Sequence, residues 1–278
     1  MYSKKYSDIF YIIRGMAFIS VCFAHCSNYQ SFVVEKISSL IGLCGVPIFL
    51  ICSGIYFQKN SFNRSFFDKK IKNIIMPWLI WGTLAYLIAF VLKATNMSIG
   101  NYLSYLCGVG TWLYYVPMYL IINVIFTKWN NCAFLYSSIA ITLFFLTLAA
   151  FVKNNTLISL PSYYLFLNPF NWFGFYAIGI LMQKNKTIFE IKTVYILIVS
   201  LFLVLIPAIY LFYSDHDVNY WNPVSMIFEC GMFYLIFALS TKVGFLMFFK
   251  EMGKQSYVLY FLHMQFGISV TNKLLLST

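Results

Sequence analysis

The feature that most constrains this chain is a series of nine apolar windows, each close to the length of a membrane-spanning helix. A helix needs about 20 predominantly apolar residues to cross the hydrocarbon core of a bilayer. Of the 278 residues, 61% are hydrophobic and 10% are charged, and a water-soluble domain of this size could not bury so much apolar surface. The sequence therefore predicts one all-α domain over residues 1–278, a polytopic transmembrane helical bundle of about nine to ten spans. The windows lie near residues 8–27, 38–57, 74–92, 111–127, 133–152, 169–183, 192–213, 223–241 and 255–273.

The lysines and arginines between the windows predict which loops share a side of the membrane. If the N-terminus is inside, 14 of the 19 basic residues fall in inner segments and 4 in outer ones, while Arg14 lies within a span. Cytoplasmic loops carry such an excess of lysine and arginine. We therefore expect a multi-pass protein of the plasma or inner membrane with a cytoplasmic N-terminus. The net charge of +11 is interpreted as a topology signal, and no nucleic-acid partner is expected.

Ionisable residues within the apolar windows are functional candidates, because a charge is costly in a bilayer unless it is paired or lines a polar cavity. Four residues qualify, namely Arg14, His25, Glu229 and His263. Arg14 and His25 are eleven residues apart, so on a helix they share one face and are separated by about 16 Å along the axis. A long substrate with an anionic head could lie along that stripe. The alternative is that Arg14 snorkels to the inner interface and His25 is an ordinary interfacial residue.

Further basic and acidic clusters lie outside the windows. The predicted inner loop at residues 58–73 ends in Lys69, Lys70 and Lys72, cations that could bind phosphates at a membrane mouth or could serve only to set orientation. The run Asp215-His216-Asp217 has no fourth ligand, so it is interpreted as a solvated outer loop and no metal site is expected.

Six motifs, in order along the chain, resemble those of the integral-membrane acyltransferase family 3, which includes bacterial O-acetyltransferases of surface polysaccharides. Each motif alone is weak, whereas six in the right order are hard to obtain by chance. Two departures are that Gly110 stands where many relatives carry a histidine, and that Asp8 is a poor substitute for the acidic residue that often precedes the family's arginine. The motifs are Arg14-Gly15-Met16-Ala17 followed by His25, the segment 45–54 ending in Ser53-Gly54, Lys70-Ile71-Lys72 with Pro77-Trp78, Trp112-Leu113-Tyr114-Tyr115, Tyr176-Ala177-Ile178-Gly179, and the segment 253–263 ending in His263.

The resemblance implies a membrane O-acyltransferase that moves an acetyl group from acetyl-CoA to a hydroxyl of a surface or cell-envelope glycan. Acetyl-CoA would be a co-substrate, with no tightly bound cofactor. In this interpretation His25 is the catalytic base or carries the acyl group itself, since the transfer must remove the hydroxyl proton and a neutral imidazole can accept it.

The remaining site residues are expected to bind the two substrates. Arg14 would guide or clamp the donor and share in catalysis. The residues Lys69, Lys70, Lys72 and Ser53 are further donor contacts in this interpretation. Ser53-Gly54 could equally serve tight helix packing, as small residues do in membranes. Candidates for the acceptor site are Trp112, Tyr114, Tyr115, Glu229 and His263, although interfacial anchoring or core packing would also explain them.

Two other classes of protein stay open from the sequence. A transporter or flippase of a polar glycan or lipid-linked precursor would also place ionisable groups in spans, but no inverted repeat supports it. A membrane sensor that keeps the fold without the chemistry is disfavoured by the presence of both Arg14 and His25. The oligomeric state and the identity of the acceptor are not determined by the sequence.

Overall fold

The computed structural model describes residues 4–25, 32–57, 64–154, 161–185, 191–214, 218–241 and 244–263. These residues form helices and connecting turns, with no β-strand among them. A π-helical stretch, Ile71–Ile75, joins α4 to α5, and short 3₁₀ turns precede α7, α10 and α13. The helices are α1 Lys4–His25, α2 Phe32–Leu43, α3 Gly45–Ile55, α4 Arg64–Lys70, α5 Met76–Val91, α6 Ile99–Cys107, α7 Tyr115–Lys128, α8 Cys132–Asn154, α9 Ser162–Leu167, α10 Phe173–Lys184, α11 Thr193–Tyr213, α12 Pro223–Ser240, α13 Phe248–Lys254 and α14 Ser256–Leu262.

Six helical segments of the described chain are long and apolar enough to cross a membrane. A seventh span would be the pair of Ile99–Cys107 and Trp112–Lys128, whose axes are bent by 63° at a short break. The all-helical membrane class is thus confirmed, whereas the count of nine to ten spans stays a prediction. Window 169–183 contains the 12-residue helix α10, which at about 1.5 Å per residue is too short for a full crossing. Most of window 255–273 lies outside the described residues. The six segments are Tyr6–His25, Phe32–Ile55, Arg64–Val91, Cys132–Lys153, Thr193–Tyr213 and Pro223–Ser240.

Burial separates the central helices of the bundle from the peripheral ones. Helices α3 and α10 pack against each other in the centre, and most of their side chains are buried. Helix α11 has the highest mean hydropathy of the six segments, 2.7, while only 17% of it is buried. Lipid tails solvate apolar side chains as well as a protein core does, so a peripheral helix can be apolar on every face. The most apolar helix is therefore at the rim.

Contacts between helix ends group the loops in the way that the charge pattern predicts. Gln183 at the end of α10 donates a hydrogen bond to the carbonyl of Phe57, and Lys184 donates one to the carbonyl of Asn130. The chain segments around Phe57, Asn130 and Gln183-Lys184 are all predicted to lie on the inner side. At the other end of the bundle, Lys36 of α2 donates a 3.2 Å hydrogen bond to the carbonyl of Ser214 after α11. Each contact joins loops assigned to one side.

Two pairs of glycines bring helix backbones into direct contact at the motif positions. Gly54 of α3 faces Gly179 of α10, and a Cβ placed on Gly179 would overlap the carbonyl oxygen of Ile51. Gly15 of α1 and Gly253 of α13 approach in the same way, because a Cβ on Gly253 would lie 3.0 Å from the backbone nitrogen of Gly15. Small residues permit such close approach between membrane helices. The first contact sets the position of Ser53, the neighbour of Gly54, relative to α10. The second sets the position of Arg14 relative to α14, which begins shortly after Gly253.

We expect Gly179→Ala to lower the thermal midpoint of the protein in detergent, since the added methyl group forces α3 and α10 apart. Overpacking of this kind costs about 1–3 kcal/mol. Gly100→Ala is the matched control, because a Cβ on Gly100 meets no atom within 4 Å and alanine favours a helix over glycine. Its midpoint should be unchanged or higher. Equal midpoints for both variants would contradict the close contact between α3 and α10.

Candidate active site

Arg14 faces the interior of the bundle, where it meets α14. Its guanidinium nitrogen Nη2 donates a 2.9 Å hydrogen bond to Oγ of Ser256, the first residue of α14. The two glycines Gly15 and Gly253, each beside one of these segments, allow α1 and α13 to approach closely enough for the bond to form. The charge is thus directed inward and is held by a neutral partner.

A cavity of about 600 Å³ adjoins Arg14 and is lined by side chains from five helices and from the π-helical stretch. Its wall includes the cations Arg14, Lys69 and Lys70, and no carboxylate among the described residues lines it. Ser53, one of the predicted donor contacts, also lies in this wall. A cavity of this size is in the range of small-molecule sites. The three cations in its wall favour an anionic ligand.

The three predicted lysines of the inner loop differ in their position relative to this cavity. Lys69 is exposed at the mouth, whereas Lys70 is half-buried with its Nζ 5.5 Å from the ring centroid of Tyr119, a residue of the wall. Lys72 lies on the π-helical stretch, is exposed and is not part of the wall. The structure therefore brings Lys69 and Lys70 together with Arg14 and leaves Lys72 outside.

Arg14 also lines two smaller cavities. One, of about 240 Å³, is lined by Arg14, Ser53 and Tyr115 among others, and the other, of about 50 Å³, extends past Val21 to Tyr260. Val21 lies between Arg14 and His25 on the same face of α1. The second cavity thus follows the side of α1 that runs from Arg14 toward His25, although His25 itself does not line it.

The far end of this face holds two histidines and a tryptophan. The rings of His25, the last residue of α1, and His263, just after α14, have centroids 5.3 Å apart. The Trp112 ring centroid is 6.4 Å from that of His263, and the carbonyl of Trp112 accepts a hydrogen bond from the hydroxyl of Tyr260. The indole nitrogen of Trp112 is buried without a partner in the described structure. Arg14 and His25 thus both contact residues in or next to α14.

Other predicted residues lie elsewhere. Tyr114 packs in an aromatic cluster with its ring stacked on Trp172 at 6.3 Å, and Glu229 of α12 is only 2% exposed. Neither residue lines the three cavities around Arg14. The described residues include no group of three histidine, cysteine or acidic side chains that could hold a metal, and Asp215-His216-Asp217 lies outside them.

Three residues of the site were missed by the sequence analysis. Asn123 and Tyr119 line the large cavity from α7, and Ser256 holds Arg14. The carboxamide of Asn123 donates a 2.8 Å hydrogen bond to the hydroxyl of Tyr176, and its Oδ1 is left without a partner in the described structure. A polar side chain within an apolar window was a signal that could have identified Asn123.

The described helices thus form a membrane bundle with an inward-facing arginine, a cationic cavity and a histidine at the far end of the same helix face. In a comparison with protein families, the model of an acyltransferase domain, that of acyltransferase family 3, matches residues 9–277. The chain therefore belongs to this family and is a membrane acyltransferase, so the resemblance deduced from the motifs is confirmed. The comparisons with curated proteins and with solved structures gave no match.

Proposed function

We propose that this protein is an acyltransferase of a bacterial plasma or inner membrane that binds acetyl-CoA from the cytoplasmic side. It transfers the acetyl group to a hydroxyl of a surface or cell-envelope glycan. The single observation that carries the proposal is the cavity of about 600 Å³ that unites Arg14, Lys69 and Lys70 with polar neutral side chains. An acyl-CoA needs such a site, because its nucleotide end is highly anionic and its arm is long.

The cavity offers complementary groups to several parts of the donor. Lys69 and Lys70 at the mouth supply cations for phosphates, and the guanidinium of Arg14 can form charge-assisted hydrogen bonds deeper inside. The unpartnered Oδ1 of Asn123 is an acceptor for an N–H group, such as an amide of the pantetheine arm. Lys72 is exposed and does not line the cavity, so it is not expected to contact the donor.

In this proposal the acyl end of the donor extends past Arg14 and Val21 toward His25, along the side of α1 that one of the smaller cavities follows. Arg14 and His25 are eleven residues apart on α1, a separation of about 16 Å along a helix, which is comparable to the length of the pantetheine arm. His25 then takes the proton of the acceptor hydroxyl as that oxygen attacks the thioester carbonyl. The acceptor reaches this end from the opposite side, with Trp112 and Tyr115 as candidate contacts.

The direct test uses purified protein in nanodiscs with acetyl-labelled acetyl-CoA and glycan from the cell envelope. We expect label in the glycan that depends on both the protein and the donor. NMR of surface polysaccharide from cells with and without the protein would identify the acetylated hydroxyl. Donor binding with no transfer to any hydroxyl-bearing envelope fraction would contradict the proposal.

A second candidate, a transporter of a polar glycan, is favoured by one observation. The break of 63° between Ile99–Cys107 and Trp112–Lys128 resembles the discontinuous helices that form substrate sites in transporters. An assay in sealed vesicles separates the two functions. Movement of labelled glycan across the membrane of vesicles that contain the protein, without any need for acetyl-CoA, would favour the transporter.

We expect Lys70→Gln to raise the KM for acetyl-CoA about 5- to 10-fold, while Lys72→Gln changes it less than about 2-fold, because only the first lysine lines the cavity. Both variants remove one positive charge from the same continuous helical segment, so they are matched in net charge. The measurement is the initial rate of transfer against donor concentration. A similar increase in KM for both variants would indicate a diffuse surface potential and would contradict a specific contact of Lys70.

A further inference from the structure

His263 has a defined tautomer in its neutral form, which follows from its hydrogen bond. Its Nδ1 lies 2.6 Å from the carbonyl oxygen of Tyr260. A carbonyl oxygen can only accept, so Nδ1 must carry the proton. In the neutral ring the other nitrogen, Nε2, then holds a free lone pair. This nitrogen is buried and has no hydrogen-bond partner in the described structure.

The free nitrogen of His263 lies in an aromatic enclosure that His25 completes. His263 is 4% exposed, and its ring is surrounded by those of Phe18, Trp112 and Tyr260, at centroid distances of 6.2, 6.4 and 5.8 Å. These neighbours provide no carboxylate. The nearest ring is that of His25, at 5.3 Å and tilted by 44°. A buried acceptor without a partner is costly, so a donor is expected to meet it.

The separation of the two imidazoles suits an N–H···N contact. Hydrogen-bonded nitrogens lie about 3 Å apart, which places the centroids of two such rings about 5 Å apart. His25 is only partly buried at the last turn of α1, so its ring has room to rotate toward Nε2 of His263. Catalytic hydrogen bonds are often loose without substrate and tighten when it binds.

We propose that His263 is a positioning residue for His25, with Nε2 of His263 accepting a hydrogen bond from one ring nitrogen of His25. This inference rests on the proposed function, in which His25 is the base. The bond fixes the tautomer of His25 and directs the lone pair of its other nitrogen toward the acceptor hydroxyl. A third group that orients a catalytic base is a recurrent arrangement in acyl transfer.

The role of His263 can be followed through the transfer. The hydroxyl proton moves to the free nitrogen of His25 as the hydroxyl oxygen forms a bond to the acyl carbon. The carbon–sulfur bond then breaks, and the departing sulfur takes that proton from His25. Between these steps His25 is an imidazolium with two N–H groups, and the lone pair of His263 stabilises one of them. His263 itself gains and loses no proton.

Two substitutions of His263 separate its two nitrogens. Asparagine places its amide near the position of Nδ1, so His263→Asn keeps a donor to Tyr260 but removes the acceptor near His25. Glutamine reaches to the position of Nε2, so His263→Gln keeps an acceptor there. We expect kcat to fall about 100-fold in His263→Asn and no more than about 5-fold in His263→Gln, with the KM for acetyl-CoA unchanged within about 2-fold in both.

A second measurement does not depend on acetyl transfer. The chain contains three histidines, His25, His216 and His263, so ring ¹⁵N signals can be assigned by substitution. We expect one tautomer of His25 in the wild type, a mixture in His263→Asn and one again in His263→Gln. If the three proteins show this pattern but the wild type transfers no acetyl group, the proposed function is overturned and the positioning contact still stands. An unchanged His25 spectrum in His263→Asn, or equal kcat losses in the two folded variants, would overturn the inference.

Discussion

Replacing His25 by alanine is expected to reduce kcat for acetyl transfer at least about 10³-fold while leaving the KM for acetyl-CoA within about 2-fold of wild type. The base contributes to the transition state by removing the hydroxyl proton, and such catalysis is worth about 10²–10⁴-fold. Donor affinity should survive, because Arg14, which lines the large cavity, is about 16 Å from His25 along α1 and His25 lines none of the three cavities. Initial rates with labelled donor and saturating glycan measure both parameters.

The His25→Ala result needs evidence that the variant is folded, which the thermal midpoint in detergent and the retained donor binding supply. Rapid quenching of the wild type without acceptor distinguishes the two chemistries of His25. A label held on the protein indicates that the imidazole carries the acyl group, whereas its absence supports the role of base. Undiminished transfer by His25→Ala would remove His25 from the mechanism.

The second large effect is expected for Arg14→Gln, which should raise the KM for acetyl-CoA about 100-fold with a smaller change in kcat. A hydrogen bond to a charged group is worth about 1.5–3 kcal/mol, and Arg14 lines all three cavities. Ser256→Ala should give a smaller increase, of about 3- to 10-fold, since it releases the guanidinium without removing its charge. Donor titration by calorimetry provides an independent affinity for each variant.

Lys254→Gln is the matched control for the change in net charge. Lys254 is exposed, pairs with Glu251 at 2.6 Å in the same short helix, and does not line the cavities. An exposed pair of this kind contributes little to stability, so the variant should behave as wild type. If Arg14→Gln and Lys254→Gln had the same KM, Arg14 would not contact the donor.

The membrane class and the motifs were accessible from the sequence because each depends on local properties. Apolar windows reflect the solvent around a helix, and the alternation of basic loops reflects the side on which each loop lies. Helices α1, α8, α11 and α12 agree with predicted windows within a few residues. The shared face of Arg14 and His25 followed from helical periodicity alone.

Hydropathy windows predicted the lengths of the helices less well than their existence. Window 111–127 begins with a 3₁₀ turn and belongs to a bent pair, because Gly108 takes the left-handed conformation with φ of 88° and interrupts the helix. Window 169–183 gave the short buried helix α10, whose surroundings are protein on nearly every side. A hydropathy profile cannot distinguish a side chain that faces lipid from one that faces another helix.

The sequence by itself determined the helical membrane bundle, its family, and the polar stripe of Arg14 and His25 on the first helix. Tertiary structure alone decided which distant residues complete that stripe. Ser256 reaches Arg14 across 242 positions of the chain, Lys70 enters the cavity wall and Lys72 does not. The physical reason is that backbone contacts at glycines set the relative depth and rotation of the helices, and about half a turn of helix separates a residue in a cavity from one in solvent or lipid.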